Sequence, residues 1–205
     1  MSVLRTLLAS LAIAVAGVVV LAAATDRFQV FTTQAAHRLD VRKRPAAVPD
    51  AALETSTGAA VTMADFRGAW LAVDFIYTRC MTYCTVLGGD FAQLQGLLAA
   101  PLQQGRLHLL SITFDAEHDD PAALARYKQQ FRDRGIGWTA ARPVNDAARA
   151  ALLRAFGVKA IPDGLGGFVH DASISVVDPD GRLVDVFDPG QPAVVADYIE
   201  GRLAR

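Results

Sequence analysis

The stretch Ala69-Trp-Leu-Ala-Val-Asp-Phe-Ile-Tyr-Thr-Arg-Cys80-Met-Thr-Tyr-Cys84 joins a nearly continuous apolar run to two cysteines four positions apart. The apolar run, residues 69–77, predicts a strand that is buried on both faces of a sheet. Apolar side chains then recur at helical spacing over residues 86–98, which predicts a helix. The cysteine pair therefore lies on a strand-to-helix turn, and a thiol pair at that position is typical of thioredoxin-like proteins.

The rest of the chain alternates strand and helix patterns. Strand patterns cover 52–62, as a hairpin turning at Gly58, then 107–113, and a second hairpin pairing 173–177 with 183–187. Helix patterns run from Asp120, as cap, to Arg134-Gly135, from Asn145 or Asp146 through Phe156-Gly157, and onward from Gln191-Pro192. This order predicts an α/β fold, a thioredoxin-like sheet with flanking helices.

Composition limits the classes of function. The chain has 205 residues, 52% of them hydrophobic, which is enough for one globular core and a membrane anchor besides. Its 20 basic and 21 acidic residues give a formal net charge of -1, so we expect no nucleic-acid partner. Two cysteines in a chain of this length cannot form a disulfide scaffold. We therefore expect them to act through redox reactivity or metal ligation.

The N-terminal segment predicts an association with a membrane. Residues 6–25 carry no charge and are long enough to span a bilayer as a helix. The small residues at the end of this run also fit a cleaved signal peptide. We predict an uncleaved anchor or signal segment over 1–25, a basic polar tether over 26–49 and the thioredoxin-like domain over 50–205.

The position of the cysteines predicts their chemistry. Amide groups at a helix start and the positive end of the helix dipole favour thiolate over thiol, so we expect the thiols to be partly ionised. Two sulfurs at this spacing can share a soft cation or close a disulfide. A pair of inert, buried thiols is the third alternative.

Three segments of the chain, in order, resemble the Sco/SenC family of membrane-anchored, thioredoxin-like copper-binding proteins. The first is 74–84, with its Cys-x-x-x-Cys turn. The second is 110–121, a strand that ends in an aspartate-rich loop. The third is 169–181, which resembles the segment that bears the family's histidine ligand. One departure is Thr85, which stands where the family commonly has proline.

The resemblance implies a copper site formed by Cys80, Cys84 and His170. The chemistry agrees, because Cu(I) is a soft ion that prefers thiolate and accepts imidazole. Asp115 ends the second strand at the same edge, so it is a candidate for orienting the site as well as for a capping or turn contact.

The remaining histidines are interpreted without a metal. His37 lies in the tether and is expected to be solvated. His108 lies in a strand and is expected to be structural, whereas His118 lies in the acidic loop and is expected to be exposed.

The resemblance implies a copper chaperone that helps to assemble the copper centre of a haem-copper oxidase such as cytochrome c oxidase. Its partners would be the oxidase subunit that carries this centre and an upstream copper donor or thiol reductase. The alternative is an enzyme, a thiol-disulfide oxidoreductase that reduces the target's cysteines before metallation. Both functions need Cys80 and Cys84, and only the chaperone needs His170.

The thiol chemistry and the resemblance imply a single-pass protein of the inner (cytoplasmic) membrane, with its domain facing the periplasm or the outside. The charges argue the other way. Arg27, Arg38, Arg42, Lys43 and Arg44 all follow the apolar segment, and a count of positive charges would retain that side in the cytoplasm.

Overall fold

The computed structural model describes residues 2–28, 30, 32–80 and 83–204. The chain forms two compact units, Met1–Lys43 and Arg44–Arg205. The first unit contains helix α1 (Ser2–Ala24) and helix α2 (Thr33–Lys43). Among the described residues, the stretch Val3–Ala24 of α1 is the one span whose length and composition suit a membrane crossing, properties that a signal sequence shares. This helix is consistent with the predicted membrane anchor.

Helix α2 lies within the segment that the sequence predicts to be a polar tether. Its start is capped by the Thr32 hydroxyl, which accepts a hydrogen bond from the Ala35 amide at 3.1 Å. Its last turn carries Arg42 and Lys43, which complement the negative end of the helix dipole. The polarity of this segment therefore reflects a helix with exposed polar side chains as well as linker residues.

The second unit contains, among the residues described, an eight-stranded sheet with the order β1-β10-β9-β4-β5-β6-β2-β3, and a separate pair, β7-β8. The strands are β1 (Ala46–Ala47), β2 (Ala52–Thr55), β3 (Ala60–Thr62), β4 (Trp70–Ile76), β5 (Leu107–Thr113), β6 (Trp138–Pro143), β7 (Ala160–Pro162), β8 (Phe168–His170), β9 (Ile174–Val177) and β10 (Arg182–Phe187). The helices are the 3₁₀ helix Met63–Phe66, α3 (Tyr83–Leu97), α4 (Ala99–Gln103), α5 (Pro121–Gln130), α6 (Asp146–Phe156) and α7 (Pro192–Leu203).

Strand β4 is central to the sheet. It pairs in parallel with β5 and antiparallel with β9, and six of its seven residues are buried. The apolar run at 69–77 is thus covered on both faces, as predicted. Because β4 and β5 are parallel, the loops that follow them leave the same edge of the sheet, and the thiol turn lies at this edge.

Local signals at the helix ends are also as predicted. The Asp120 side chain caps α5 through the Ala123 amide, and the Asn145 side chain caps α6. Helix α6 ends at Gly157, whose φ of 66° is the left-handed conformation that glycine adopts readily. Helix α5 is shorter than predicted and ends at Gln130, because the chain turns at Arg132 with a φ of 55°.

Three strands of the second unit lie outside the predicted set, besides the two-residue edge strand β1. Strand β6 has the sequence Trp-Thr-Ala-Ala-Arg-Pro, which shows no clear apolar pattern. It is held by parallel pairing with β5 on one side and antiparallel pairing with β2 on the other. Strands β7 and β8 are three residues each and pair only with one another among the described strands. Strand pairing rather than sequence pattern defines these elements.

Candidate metal centre

Cys80 and Cys84 lie where strand β4 gives way to helix α3. The Cys80 amide donates to the Tyr77 carbonyl at 3.1 Å, which closes a tight turn after the strand. Cys84 lies in the first turn of α3. Neither cysteine forms a disulfide, and both are buried, with exposures of 7% for Cys80 and 1% for Cys84. Two of the residues between them, 81 and 82, lie outside the described part of the chain.

His170 reaches the cysteines from the small β7-β8 sheet. It is the last residue of β8 and pairs with Ala160 across the two strands. Its Nε2 lies 3.9 Å from the Cys80 sulfur and 3.7 Å from the Cys84 sulfur. The ligand atoms of Cys80, Cys84 and His170 all lie within 4.8 Å of one another, the one such cluster of metal-ligating side chains that the described residues form.

The orientation of the His170 ring suits metal binding. Its Nδ1 lies 3.1 Å from the Asp171 carbonyl oxygen. Because a carbonyl oxygen only accepts, Nδ1 carries the hydrogen in this contact, and Nε2 is left with a lone pair directed at the two sulfurs. A backbone partner of this kind commonly fixes the tautomer of a metal-binding histidine.

Three aromatic side chains hold the imidazole in place. The Tyr77 and Phe114 rings lie 5.7 and 5.1 Å from the His170 ring, between centroids. Phe168, two residues before His170, packs on both of these rings. The inner face of β8 is therefore attached to the ends of β4 and β5 by ring contacts. Sequence reasoning missed this cluster, although aromatic residues at two adjacent strand ends were a signal for it.

Burial dominates the electrostatics of the second thiol. The Cys84 amide donates to the Cys80 sulfur at 3.4 Å, so the helix start does offer a hydrogen bond to sulfur. Burial nevertheless raises the pKa of the Cys84 thiol well above its ordinary value, and the neighbouring Cys80 side chain raises it further. The prediction that both thiols are partly ionised is thus wrong for Cys84, because desolvation outweighs the helix dipole.

Among the described residues, Asp115 does not contact the ligand atoms directly but pairs with Arg79, the residue before Cys80. Its carboxylate bonds Arg79 at 2.7 Å and His118 at 2.8 Å. Burial acts to raise the pKa of Asp115, but these two partners outweigh it and the pKa lies below its ordinary value. Asp115 is therefore linked to the first cysteine through Arg79, its neighbour in the chain, and its role in the site is indirect.

The other histidines lie away from the three ligand atoms. His118 is 51% exposed in the loop after β5, although it also pairs with Asp115. His108 packs edge-on against Phe66, with 5.7 Å between ring centroids, which agrees with a structural role. His37 lies in helix α2 of the first unit.

Asp74 of β4 is a buried carboxyl group whose two oxygens have no hydrogen-bond partner of acceptable geometry in the described structure. It has no solvent exposure, and burial raises its pKa from 3.8 to about 8. Sequence analysis placed this residue in the strand without a role. Repulsion from Asp90 raises the pKa of Asp74 further, and an ionised Asp74 would in turn raise the pKa values of Cys84 and Tyr127.

Comparisons with known proteins agree with this geometry. A sequence model of the SCO1/SenC family matches residues 40–202. The mitochondrial protein SCO2 homolog of Danio rerio is 31% identical over 135 residues, which cover 64% of this chain and 48% of that protein. The chain spans about half the length of most of the curated relatives that it matches first.

Solved structures show the same fold. Bradyrhizobium japonicum ScoI with copper bound has a TM-score of 0.65 at 24% identity, over 76% of this chain and 99% of that one. BsSco, described as a member of the Sco family of cytochrome c oxidase assembly proteins with a disulfide switch, has a TM-score of 0.66 at 18% identity, over 77% and 93% of the two chains. The predicted α/β, thioredoxin-like fold is confirmed.

Proposed function

The chain belongs to the SCO1/SenC family, and we propose that it binds one copper ion through Cys80, Cys84 and His170. The observation that carries this proposal is the convergence of two sulfurs and one imidazole nitrogen within 4.8 Å. The two cysteines lie at the turn into α3 and His170 lies at the end of β8, far away in sequence. Packing of β8 on the aromatic ends of β4 and β5 brings them together.

The donor set fits copper. Two sulfurs and one imidazole are soft to borderline ligands, which Cu(I) prefers, and no carboxylate belongs to the cluster. Hard cations such as Mg²⁺ and Ca²⁺ prefer oxygen ligands. Zn²⁺ accepts the same three donors but favours a fourth ligand. Competition between Cu(I) and Zn²⁺ for the full chain, reconstituted anaerobically, therefore tests the proposal, and tight zinc binding without copper binding would refute it.

We propose further that the bound copper is cargo, delivered to the copper centre of a haem-copper oxidase such as cytochrome c oxidase. The relative named as a cytochrome c oxidase assembly protein supports this target. The difference in burial among the ligands also supports delivery. Cys80 and Cys84 are buried, whereas His170 is partly exposed on a short hairpin outside the main sheet. An acceptor's ligand can replace the imidazole before it replaces the sulfurs.

The second candidate function is thiol-disulfide exchange on the cysteines of the same target. The two cysteines form no disulfide, and the Cys84 amide donates to the Cys80 sulfur, which assists a thiolate at that position. Cys80 would attack the target disulfide, and Cys84 would then displace the target thiolate. The target gains two electrons and two protons while this pair forms a disulfide. An upstream thiol reductase would regenerate the pair, whereas the copper function needs an upstream copper donor.

For location, we propose a single-pass anchor over residues 6–25 in the inner (cytoplasmic) membrane, with residues 26–49 as tether and 50–205 as a domain facing the periplasm. Helix α1 supports an anchor, and copper delivery to an outward-facing oxidase centre requires an outward domain. The basic residues after α1 oppose this orientation. A C-terminal reporter that is active only in the periplasm tests it, and activity of a cytoplasmic reporter instead would reverse it.

A further inference from the structure

Asp119, in the loop between β5 and α5, is a fully buried carboxylate that holds two strand ends together. Its oxygens accept hydrogen bonds from the Thr78 amide at 3.0 Å and the Thr78 hydroxyl at 2.5 Å. They also accept one from the Thr113 hydroxyl at 2.5 Å. With three donors, the hydrogen-bonding capacity of this buried carboxylate is well used, and its position is fixed.

These hydrogen bonds fix the segment that leads to the first cysteine. Thr78 lies two residues before Cys80, and the Cys80 amide closes the turn on Tyr77. Asp119 holds Thr78 by its backbone as well as its side chain, so the path of the main chain is constrained at this point.

Asp115 bonds a side chain before Cys80, whereas Asp119 bonds the backbone. Asp115 bonds the Arg79 side chain, which is 45% exposed. A long, solvated side chain can move without moving the backbone, so that ion pair constrains Cys80 weakly. Asp119 is fully buried and bonds the backbone amide of Thr78, so this bond constrains the main chain directly, and losing it leaves a buried carboxylate with one donor fewer.

We propose that Asp119 is a positioning residue for Cys80, which keeps the Cys80 sulfur beside Cys84 and His170. Two consequences follow. The first is a dithiol whose sulfurs are held close together, which favours disulfide closure over mixed disulfides with small thiols. The second is a metal site whose first ligand is fixed before the ion arrives. The second consequence rests on the proposed copper function, and the first does not.

The test compares variants of the full chain in detergent. Asp119→Asn keeps the shape of the side chain but replaces one acceptor oxygen by a donor and removes the charge, so at least one of the three bonds is reversed or lost and the others are weakened. Thr78→Val removes only the hydroxyl contact and guards against failure of the first variant to fold. Asp120→Asn is the matched control, because Asp120 is the exposed neighbouring aspartate and asparagine caps helices equally well.

The first measurement is the equilibrium constant for disulfide formation against glutathione, without metal. We expect it to fall about tenfold in Asp119→Asn, which corresponds to about 30 mV for this two-electron couple, and to fall less in Thr78→Val. We expect no change in Asp120→Asn. A merely structural role would lower the melting temperature and leave this constant unchanged. Values equal to the unmodified chain in both folded variants, or an equal shift in Asp120→Asn, would overturn the inference.

The second measurement is Cu(I) affinity by competition with a chromophoric chelator. We expect a loss of about 10- to 100-fold in Asp119→Asn and none in Asp120→Asn. If the unmodified chain binds no copper, the proposed function fails, and the disulfide constant alone decides the role of Asp119. If copper binds and neither constant changes in Asp119→Asn, the proposed function stands and the positioning role is wrong.

Discussion

The Nε2 atom of His170 lies 3.7 Å from the sulfur of Cys84, although 86 positions separate the two residues in the chain. The contact depends on the β7-β8 hairpin, which carries His170 on its inner face. The preceding residue, Val169, points the other way and is 68% exposed. The hairpin therefore delivers one polar ligand to a buried thiol pair without adding a strand to the main sheet. Because His170 comes from a separate hairpin, its loss should affect metal binding and leave the thiol pair in place.

Removal of the imidazole should separate metal binding from thiol chemistry. We expect His170→Ala to lower Cu(I) affinity by about tenfold or more, because the ion loses one of three ligands. Titration of both thiols with a thiol reagent should be unchanged. His118→Ala is the control, because His118 is half exposed and contacts Asp115 rather than the cysteines. Unchanged copper affinity in His170→Ala would remove His170 from the site.

Copper loading and disulfide formation should exclude one another. A sulfur that is bonded to its partner has no thiolate to offer, so oxidation of Cys80 and Cys84 should release copper, and bound copper should slow thiol exchange. A redox titration that follows the disulfide and the retained copper should give two curves with one midpoint. Copper-loaded protein that reduces a disulfide substrate as fast as the metal-free form would contradict a shared site.

Copper uptake should release protons and strengthen with pH. Burial raises the pKa of Cys84, so this thiol is protonated in the metal-free protein near neutral pH and must lose its proton to bind. Below that pKa, each proton that is released on binding makes the Cu(I) affinity rise about tenfold per pH unit. Competition assays at pH 6, 7 and 8 should therefore show Cu(I) affinity rising across the series. An affinity that does not change with pH would mean that Cys84 binds already ionised.

Asp74 should make the domain less stable as pH rises. Its pKa in the folded state is about 8, above the ordinary 3.8, so between these values the folded protein holds a proton that the unfolded chain has lost. The contribution of protonated Asp74 to the free energy of unfolding is complete below about pH 4 and is lost as pH rises through 8, by up to about 6 kcal/mol. Asp74→Asn should remove this pH dependence.

The measurement is urea unfolding of residues 44–205 at several pH values, for the unmodified sequence and for Asp74→Asn. A start at Arg44 retains the edge strand Ala46–Ala47, which pairs with β10, whereas a cut at Val48 would remove it. The difference in unfolding free energy between the two proteins should widen in favour of Asn between pH 4 and 8. A constant difference over that range would show that Asp74 does not carry the proton.

The elements that sequence reasoning placed correctly are those with local causes. The apolar run before Cys80 predicts β4 because a strand that is buried on both faces needs apolar side chains at successive positions. Asp120 and Asn145 predict helix starts because their side chains bond amides three residues ahead. The order of the three family-like segments identified His170 as a candidate ligand. The residues next to His170 in the sequence would not have identified it.

The features that escaped prediction depend on tertiary contacts. Strand β6 is defined by its neighbours in the sheet, and the raised pKa of Cys84 is set by burial that no spacing reveals. Asp119 was placed in an acidic loop, because its sequence neighbours are charged. Only the fold shows that Asp119 points inward to Thr78, whereas the sequence does predict the helix cap at the next residue, Asp120.

The coordination of copper in the reduced protein tests the central claim most directly. X-ray absorption at the copper edge, on the anaerobically loaded full chain with metal and protein quantified, measures the number and kind of ligands. We predict one Cu(I) per chain with two sulfur ligands and one imidazole nitrogen, and loss of the imidazole signal in His170→Ala. A site with fewer than two sulfurs, or the same spectrum with and without His170, would contradict a centre built from Cys80, Cys84 and His170.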